Sequence, residues 1–206
     1  FEFTGALGLE SRELEWELPI PPAAREFAEA SFSGDRKVLA INPSASKPAR
    51  NWSVEGYAAL ADHAAGKLDL DVVLTGGPSA AEAGLADAIE EACGSKLLNL
   101  VGKTSLKELL AVIERASVLV APDTGPAHMG TTVGTPVIGL YAASNPLRSG
   151  PYLSLEHTVN NYAEALQAGC GARVDDVRWG TRVRSSAAME TITVEQVIEK
   201  LDPIFS

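Results

Sequence analysis

The chain has 206 residues, a net charge of −10 and a hydrophobic content of 46%. That composition provides for a sizeable core and argues against intrinsic disorder. The acidic charge argues against a clamp around nucleic acid, and no apolar run approaches the roughly 20 residues that a membrane-spanning helix needs. The two cysteines, Cys93 and Cys170, are far apart, which fits neither a disulfide scaffold nor a metal-ligand motif and is typical of a reducing compartment.

The first 36 residues differ from the rest of the chain. Residues 11–18 predict a strand or an extended arm, which ends at a group of prolines, and residues 23–32 predict a short helix. Because this stretch is proline-rich and lacks an apolar period, we interpret 1–36 as a lead-in or linker and 37–206 as one domain. The chain begins without Met, so we expect it to be a piece of a longer protein.

From residue 37 onward, short apolar runs alternate with amphipathic helical patterns. The predicted helices cover 54–65, 79–92, 105–116, 127–133 and 193–201, and the predicted strands cover 38–41, 70–74, 97–100, 118–121 and 136–141, with a sixth candidate at 158–159. Strands that are apolar throughout indicate a parallel sheet covered by helices on both faces. The predicted fold class is therefore a doubly wound, Rossmann-like α/β structure, whose ligands bind at the carboxyl ends of the strands.

The loop after the fourth predicted strand carries the most information. Asp123, Thr124 and Gly125 lie between a strand and a helix, where free backbone N–H groups and the helix dipole favour an anion. Gly125 permits close approach of a ligand, and His128 in the first helical turn can point at the same anion. We interpret this loop as a diphosphate site, and the alternative is that Asp123 or Thr124 only caps the helix.

Two further loops supply hydroxyls and cations. After the first strand, Ser44 and Ser46 precede Lys47 and Arg50, and such residues can surround a phosphate. After the fifth strand, Arg148 is a fixed positive charge whose guanidinium suits phosphate. The alternatives are an ordinary turn in the first case and an exposed arginine in the second.

The loop after the second strand offers uncluttered backbone, since Gly76 and Gly77 carry no side chains where a ribose or base could approach. A tight turn is the alternative. Several known motifs are missing: Gly102-Lys103-Thr104 lacks the first glycine of a P-loop, and no dinucleotide fingerprint follows the first strand. The three histidines have no metal-ligand spacing, so we expect no metal site.

Taken together and in order, these loops resemble a known family. The motifs are N-P-S-A-S at 42–46, N-W-S at 51–53, G-G-P at 76–78, L-N-L-V-G-K-T-S-L-K-E-L at 98–109, D-T-G-P-A-H at 123–128, G-T-P-V at 134–137 and N-P-L-R-S-G-P at 145–151. The set resembles the nucleotide-binding half of the bacterial ADP-heptose:lipopolysaccharide heptosyltransferases, which form glycosyltransferase family 9 and have the two-domain GT-B architecture. The resemblance covers about 37–151, with a weaker tail to 206.

The resemblance implies metal-independent, inverting transfer of heptose from ADP-heptose, bound as a substrate rather than a cofactor, to a lipopolysaccharide core or related glycan. With the loop interpretations above, the candidate contacts to the donor's diphosphate and sugar are Ser44, Ser46, Arg50, Asp123, Thr124, Gly125, His128 and Arg148. The candidate contacts to its base and ribose are Gly76, Gly77, Leu100, Val101, Gly102 and Thr104. The family often has an acidic residue shortly after G-G-P that meets the ribose, whereas here Ser79, Ala80 and Ala81 follow and Glu82 comes later.

The resemblance also implies what this chain lacks. The family's general base belongs to an N-terminal acceptor domain that nothing here represents, so we expect no catalytic residue and no turnover from this chain alone. The implied partners are that domain and, through it, a lipid-linked glycan acceptor, and no nucleic acid. The implied location is cytoplasmic and peripheral at the inner membrane face. The alternatives are a UDP-sugar transferase or epimerase, and a non-catalytic nucleotide-sugar-binding module.

Overall fold

A computed structural model describes residues 2–9, 14–16, 18–32 and 34–206, apart from the side chains of Glu2 and Ser186. The arm predicted at 11–18 includes residues 11–13 and 17, which lie outside the described residues, so that prediction is not tested. Within the described ranges the strands are Val38–Ile41 (β1), Asp71–Leu74 (β2), Leu98–Asn99 (β3), Val118–Pro122 (β4), Val137–Tyr141 (β5) and Val159–Asn160 (β6).

These strands form one parallel sheet in the order β3-β2-β1-β4-β5-β6. The order reverses between β1 and β4, and that point is where doubly wound sheets open a crevice for ligands. The α-helices of the described ranges are Glu2–Ala6 (α1), Pro22–Ser31 (α2), Val54–Lys67 (α3), Ala80–Ala92 (α4), Leu106–Arg115 (α5), Gly125–Val133 (α6), Pro146–Ser149 (α7), Tyr162–Cys170 (α8) and Val194–Leu201 (α9). The predicted fold class is confirmed.

Apolar clusters cover both faces of the sheet. Successive side chains of a strand point to opposite faces, and β1 shows this directly. Its Leu39 and Ile41 belong to the cluster formed with α3, α4, α8 and α9, whereas Val38 and Ala40 belong to the cluster formed with α2, α5 and α6. All four side chains are fully buried. Burial on both faces explains why the strand is apolar throughout instead of alternating.

Helix α2, within the segment interpreted as a lead-in, packs on the domain. Its Ala24 and Ala28 are buried in the cluster that also contains residues of α5. Arg25 adds a salt bridge from α2 to Glu114 of α5, with Nε and Oε2 2.7 Å apart. The small alanines bring the two helices close together, so α2 forms part of one apolar layer. The division of the chain at residue 36 into segments of different role stays a prediction.

Helix α8 was missed by the sequence analysis. Its Tyr162, Ala165 and Leu166 are buried at helical spacing, and it ends at Gly171, whose φ of +63° is a left-handed conformation that glycine adopts readily. Those two signals could have revealed it, but the helix is only nine residues long and Asn161 does not cap it through its side chain in the structure as described.

The N-W-S motif holds the loop that follows β1. Asn51 accepts a hydrogen bond from the Ala45 N–H at 2.8 Å, and Ser53 caps α3 by accepting one from the Gly56 N–H at 3.1 Å. Between them, buried Trp52 donates from its indole nitrogen to the Ile192 carbonyl oxygen at 2.9 Å. The motif therefore anchors the end of this loop to the core.

The Trp52 ring lies directly on Gly56, since a Cβ at Gly56 would stand 2.6 Å from two of its ring carbons. We predict that Gly56→Ala lowers the free energy of unfolding by about 1–3 kcal/mol, because the ring must move and is fixed by its hydrogen bond. Gly66→Ala is the matched control in the same helix, since nothing lies within 4 Å of its Cβ position. That change should stabilise the helix by up to about 1 kcal/mol. Urea denaturation of both variants tests this, and equal effects would contradict it.

Candidate functional site

A cavity of about 580 Å³ lies at the carboxyl ends of β1, β2 and β4. We call it the switch-point cavity because it opens where the strand order reverses. It is lined by Asn42, Ser44, Ala45, Ser46, Pro48, Asn51, Gly76, Gly77, Ser79, Ala81, Glu82, Leu106, Leu109, Thr124, Gly125, Pro126 and Met129. Six of the predicted site residues, from three separate loops, therefore meet around one cavity: Ser44, Ser46, Gly76, Gly77, Thr124 and Gly125. Their contact with a ligand stays a prediction.

Arg50 and Asp123 connect two of these loops. The Arg50 Nη1 donates to the Asp123 carbonyl oxygen at 2.6 Å and to its Oδ2 at 3.1 Å, and Nη2 donates to the Ser46 Oγ at 2.9 Å. The two charged side chains are only 13% and 9% exposed. Because the pair is largely shielded from water, it fixes the loop after β1 against the end of β4 more firmly than a surface ion pair would.

The N-terminus of α6 is left open by this arrangement. Thr124 stands at the N-cap position with an extended backbone, and its side chain accepts no capping hydrogen bond within the described structure. The Asp123 carboxylate is held by Arg50, so it does not cap the helix either. The first-turn N–H groups and the positive end of the helix dipole therefore stay available for an anion. The Thr124 side chain therefore does not cap α6 in the described structure, and the diphosphate interpretation of this loop stays a prediction.

Glu82 is a candidate that the sequence analysis set aside because it stands too far from G-G-P. In the structure its Oε1 accepts a hydrogen bond from the Gly77 N–H at 2.9 Å, and the Ser79 hydroxyl donates to its Oε2 at 2.7 Å. The Ser79 hydrogen bond, with the backbone bonds from Gly77 and Ser79, holds the pKa of the Glu82 carboxyl below its usual value. The signal was available, since Ser79 and Glu82 have the spacing of a helix-capping motif.

Residues 100–104, predicted to contact the nucleotide base, lie against the glycine loop of the switch-point cavity. The Gly102 N–H donates to the Gly76 carbonyl oxygen at 3.1 Å, and a Cβ at Gly76 would stand 3.3 Å from a Val101 methyl. Leu100, Val101, Gly102 and Thr104 do not line the cavity. The apolar part of its lining comes instead from Leu106 and Leu109 of α5 and Met129 of α6, and Leu106 is 73% exposed.

Two predicted residues lie away from the switch-point cavity. His128 is exposed on α6, outside the lining of that cavity. Arg148 lines a second cavity of about 900 Å³, which we call the basic cavity. Its lining consists of Lys47, Pro48, Ala49, Arg50, Ala143, Arg148, Gly180, Thr181, Arg182, Val183 and Arg184. The two cavities are neighbours, because Pro48 lines both.

The described residues contain no group of three or more His, Cys, Asp and Glu side chains arranged to hold a metal ion. None of their helices is long and apolar enough to cross a membrane. Metal-independent chemistry stays a prediction.

Comparison with known proteins gives the family. The model of glycosyltransferase family 9, the heptosyltransferases, matches residues 2–172. The chain belongs to this family. The match begins well before residue 37, so it includes helix α2 as well as the loops of the switch-point cavity, and it ends before residues 180–184 of the basic cavity.

Among curated proteins, the chain is 37% identical to the lipopolysaccharide core heptosyltransferase OpsX of Haemophilus influenzae, over 97% of this chain and 57% of that protein. It is 30% identical to lipopolysaccharide heptosyltransferase 3 of Escherichia coli, over 71% of this chain and 44% of that protein. The chain thus spans about half the length of the curated relatives it matches.

Solved structures show the same fold. The family 9 glycosyltransferase of Veillonella parvula superposes with a TM-score of 0.75 at 23% identity, over 99% of this chain and 58% of that one. The heptosyltransferase WaaC of E. coli, solved with ADP, superposes with a TM-score of 0.64 at 17% identity, over 98% of this chain and 54% of that one. At these identities the superpositions establish the Rossmann-like α/β fold of GT-B heptosyltransferases.

The lowered pKa of Glu82 predicts how stability depends on pH. Its hydrogen bonds favour the charged carboxylate, so their contribution is fully present above the pKa of an unfolded Glu, about 4.3, and is lost as pH falls through the lower folded value. Glu82→Gln should therefore destabilise the chain at pH 7 and cause a smaller loss at pH 3.

Urea denaturation at both pH values measures this difference. Asp87→Asn is the control on the same helix, since Asp87 is exposed and has no hydrogen-bond partner among the described residues. It should stay within about 0.5 kcal/mol of the wild type at both pH values. A Glu82→Gln effect that grows on acidification would contradict the prediction.

Proposed function

We propose that this chain is the donor-binding part of a heptosyltransferase that takes ADP-heptose and transfers the heptose to a lipopolysaccharide core or related glycan. One observation carries the proposal: the open N-terminus of α6 stands beside Arg50 at the switch point of the sheet. A helix N-terminus with an adjacent guanidinium is a favourable site for a diphosphate. Family membership supports heptose transfer, and the E. coli heptosyltransferase solved with ADP supports the nucleotide.

The switch-point cavity accommodates the donor in a definite orientation. The diphosphate lies at Thr124 and Gly125, where the N–H groups of α6 and the hydroxyl of Ser46 can donate to its oxygens. The ribose reaches Glu82, whose carboxylate is held in place by Ser79 and can accept hydrogen bonds from two hydroxyls. The base packs on the apolar surface of Leu106 and Leu109.

Transfer releases the nucleoside diphosphate, so negative charge grows on the oxygen that separates from the sugar. Arg50 and the N–H groups of α6 are fixed before the reaction, and fixed donors stabilise such charge without reorganising. In this proposal no metal ion takes part. The protein's contribution to the donor side of the reaction is therefore electrostatic.

The acceptor hydroxyl needs a base, and neither carboxylate near the cavity is suited to that role. Asp123 is bound by Arg50, and Glu82 has a lowered pKa, which makes it a weaker base. We propose that the base belongs to an acceptor domain outside this chain, and that the whole enzyme acts at the cytoplasmic face of the inner membrane on a lipid-linked glycan. The matches cover only 57% and 44% of the two curated relatives, whose greater length agrees with such a domain.

We predict that the chain binds ADP in calorimetric titration and that Arg50→Gln weakens this binding about tenfold or more, because a charge-assisted hydrogen bond to phosphate is lost. Asp123→Ala should weaken it too, since Arg50 then loses the partner that positions it. Arg36→Gln is the matched control, because Arg36 pairs with Asp71 at the opposite end of the sheet. It should bind ADP as the wild type does, and circular dichroism should show all variants folded.

The same titrations decide between the alternatives. Binding of UDP as tight as that of ADP would favour a UDP-sugar enzyme, and no nucleotide binding by the folded wild type would favour a non-catalytic module. Equal ADP binding by wild type and Arg50→Gln would contradict the assigned site. We also expect no heptose transfer from ADP-heptose by this chain alone, and measurable turnover would show that a base is present within it.

A further inference from the structure

Of the residues that line the basic cavity, the proposed function uses only Arg50 to hold the nucleotide. The cavity collects five of the 17 Lys and Arg residues of the chain: Lys47, Arg50, Arg148, Arg182 and Arg184. No Asp or Glu lies among its lining residues, all of which the structure describes. In a chain with a net charge of −10, this concentration of cations runs against the overall composition.

Four of these five cations have no ion-pair partner in the part of the chain that the structure describes. Arg50 is paired with Asp123, whereas Lys47, Arg148, Arg182 and Arg184 make no ion pair with any residue in the described ranges. Side chains of like charge that face one space repel each other. Such an arrangement is stabilised when an anion enters the space, because each guanidinium can then donate hydrogen bonds to it.

The backbone that presents two of the arginines is held in place. In the non-helical segment 180–184, which we call the strap, the Val183 N–H donates to the Ala143 carbonyl oxygen at 3.0 Å. The Tyr162 hydroxyl donates to the Thr181 carbonyl oxygen at 2.9 Å. Val183 is buried, while Arg182 and Arg184 on either side of it are exposed and line the cavity. The strap therefore inserts Val183 into the core and directs both guanidiniums into the cavity.

Arg148 lies on the side of the basic cavity that faces the strap. It belongs to α7, and its guanidinium lies against Gly180 at the start of the strap, where an added Cβ would stand 3.5 Å from Nε. Arg50 connects this side to the switch-point cavity, because it lines the basic cavity while donating to Ser46. Its Nε is buried and has no hydrogen-bond partner among the described residues. A ligand in the basic cavity would thus lie next to the sugar end of a bound donor.

We propose that the basic cavity binds a saccharide that carries phosphate or carboxylate, as the acidic end of the acceptor glycan. The proposal rests on the proposed function, since it places the acceptor beside the donor's sugar. About 900 Å³ exceeds what a single phosphate fills and lies in the range of small-molecule sites. The cations surround a concave space instead of spreading over an apolar convex face, which favours a sugar-sized anion over a membrane surface.

Calorimetry on the 206-residue chain tests this with glucose 6-phosphate and glucuronate as probes and glucose as the uncharged control. We expect both anionic sugars to bind and glucose not to bind. Arg182→Gln combined with Arg184→Gln should weaken glucose 6-phosphate binding about tenfold or more and leave ADP affinity within twofold. Arg173→Gln combined with Arg178→Gln is the matched control, because those two arginines precede the strap and lie outside the cavity lining.

Several results would overturn the proposal. The first is that glucose 6-phosphate does not bind, and the second is that the Arg173/Arg178 control loses as much glucose 6-phosphate affinity as the Arg182/Arg184 variant. The third is that the Arg182/Arg184 variant also loses ADP affinity, which would make the cavity part of the donor site. Binding to vesicles of phosphatidylcholine and phosphatidylglycerol is measured as well. If the wild type binds these vesicles, the Arg182/Arg184 variant does not, and no sugar phosphate binds, the cavity is a membrane-binding face instead. Absence of ADP binding alongside retained sugar-phosphate binding would contradict the proposed function and the acceptor role, and would leave the anion site itself supported.

Discussion

The ion pair between Arg50 and Asp123 is the constraint on which the site depends. It joins the loop after β1 to the end of β4, the two strands between which the order of the sheet reverses. Both side chains are largely buried, so the cost of removing them from water must be offset, and Arg50 does this with three acceptor oxygens, including the Ser46 hydroxyl. Because Asp123 is occupied in this way, it leaves the N-terminus of α6 open. One interaction therefore both shapes the cavity and keeps its anion donors free.

The surroundings of this pair make it rigid. Asn51 and Trp52 fix the chain immediately after Arg50, through hydrogen bonds to Ala45 and Ile192. On the other side, burial and the negative charge of Asp123 raise the pKa of the Tyr141 phenol, so this residue stays neutral and donates to the Ser149 carbonyl oxygen. The positive charge of Arg50 opposes that effect of Asp123 on the pKa of Tyr141. The polar site is thus embedded in packed structure at both ends.

The sequence predicted the strands well where both faces of a strand are buried, because such a strand is apolar at every position. Strands buried on both faces are apolar throughout, so β1, β4 and β5 could be predicted directly, and the loops at their carboxyl ends followed from the rule for doubly wound sheets. The sequence was less informative where the role of a segment depends on contacts with residues that are distant in sequence. The strap looks like an irregular tail, because its role depends on hydrogen bonds to Ala143 and Tyr162, which are distant in sequence. Glu82 is a different case, because its contacts with Gly77 and Ser79 are local in sequence and the spacing of Ser79 and Glu82 already indicated them.

In the proposed function, the two cavities take different parts of a transfer reaction. The switch-point cavity offers N–H groups and one carboxylate, which suits a nucleotide, and the basic cavity offers cations with no lining acid, which suits a more acidic ligand. Arg50 belongs to both, since it lines the second and donates to Ser46 of the first. An anion entering the basic cavity would therefore compete with the donor's diphosphate for Arg50. If both proposals hold, that competition would weaken the hold on the diphosphate while an acidic acceptor is bound, and Arg50 would couple the two ligands.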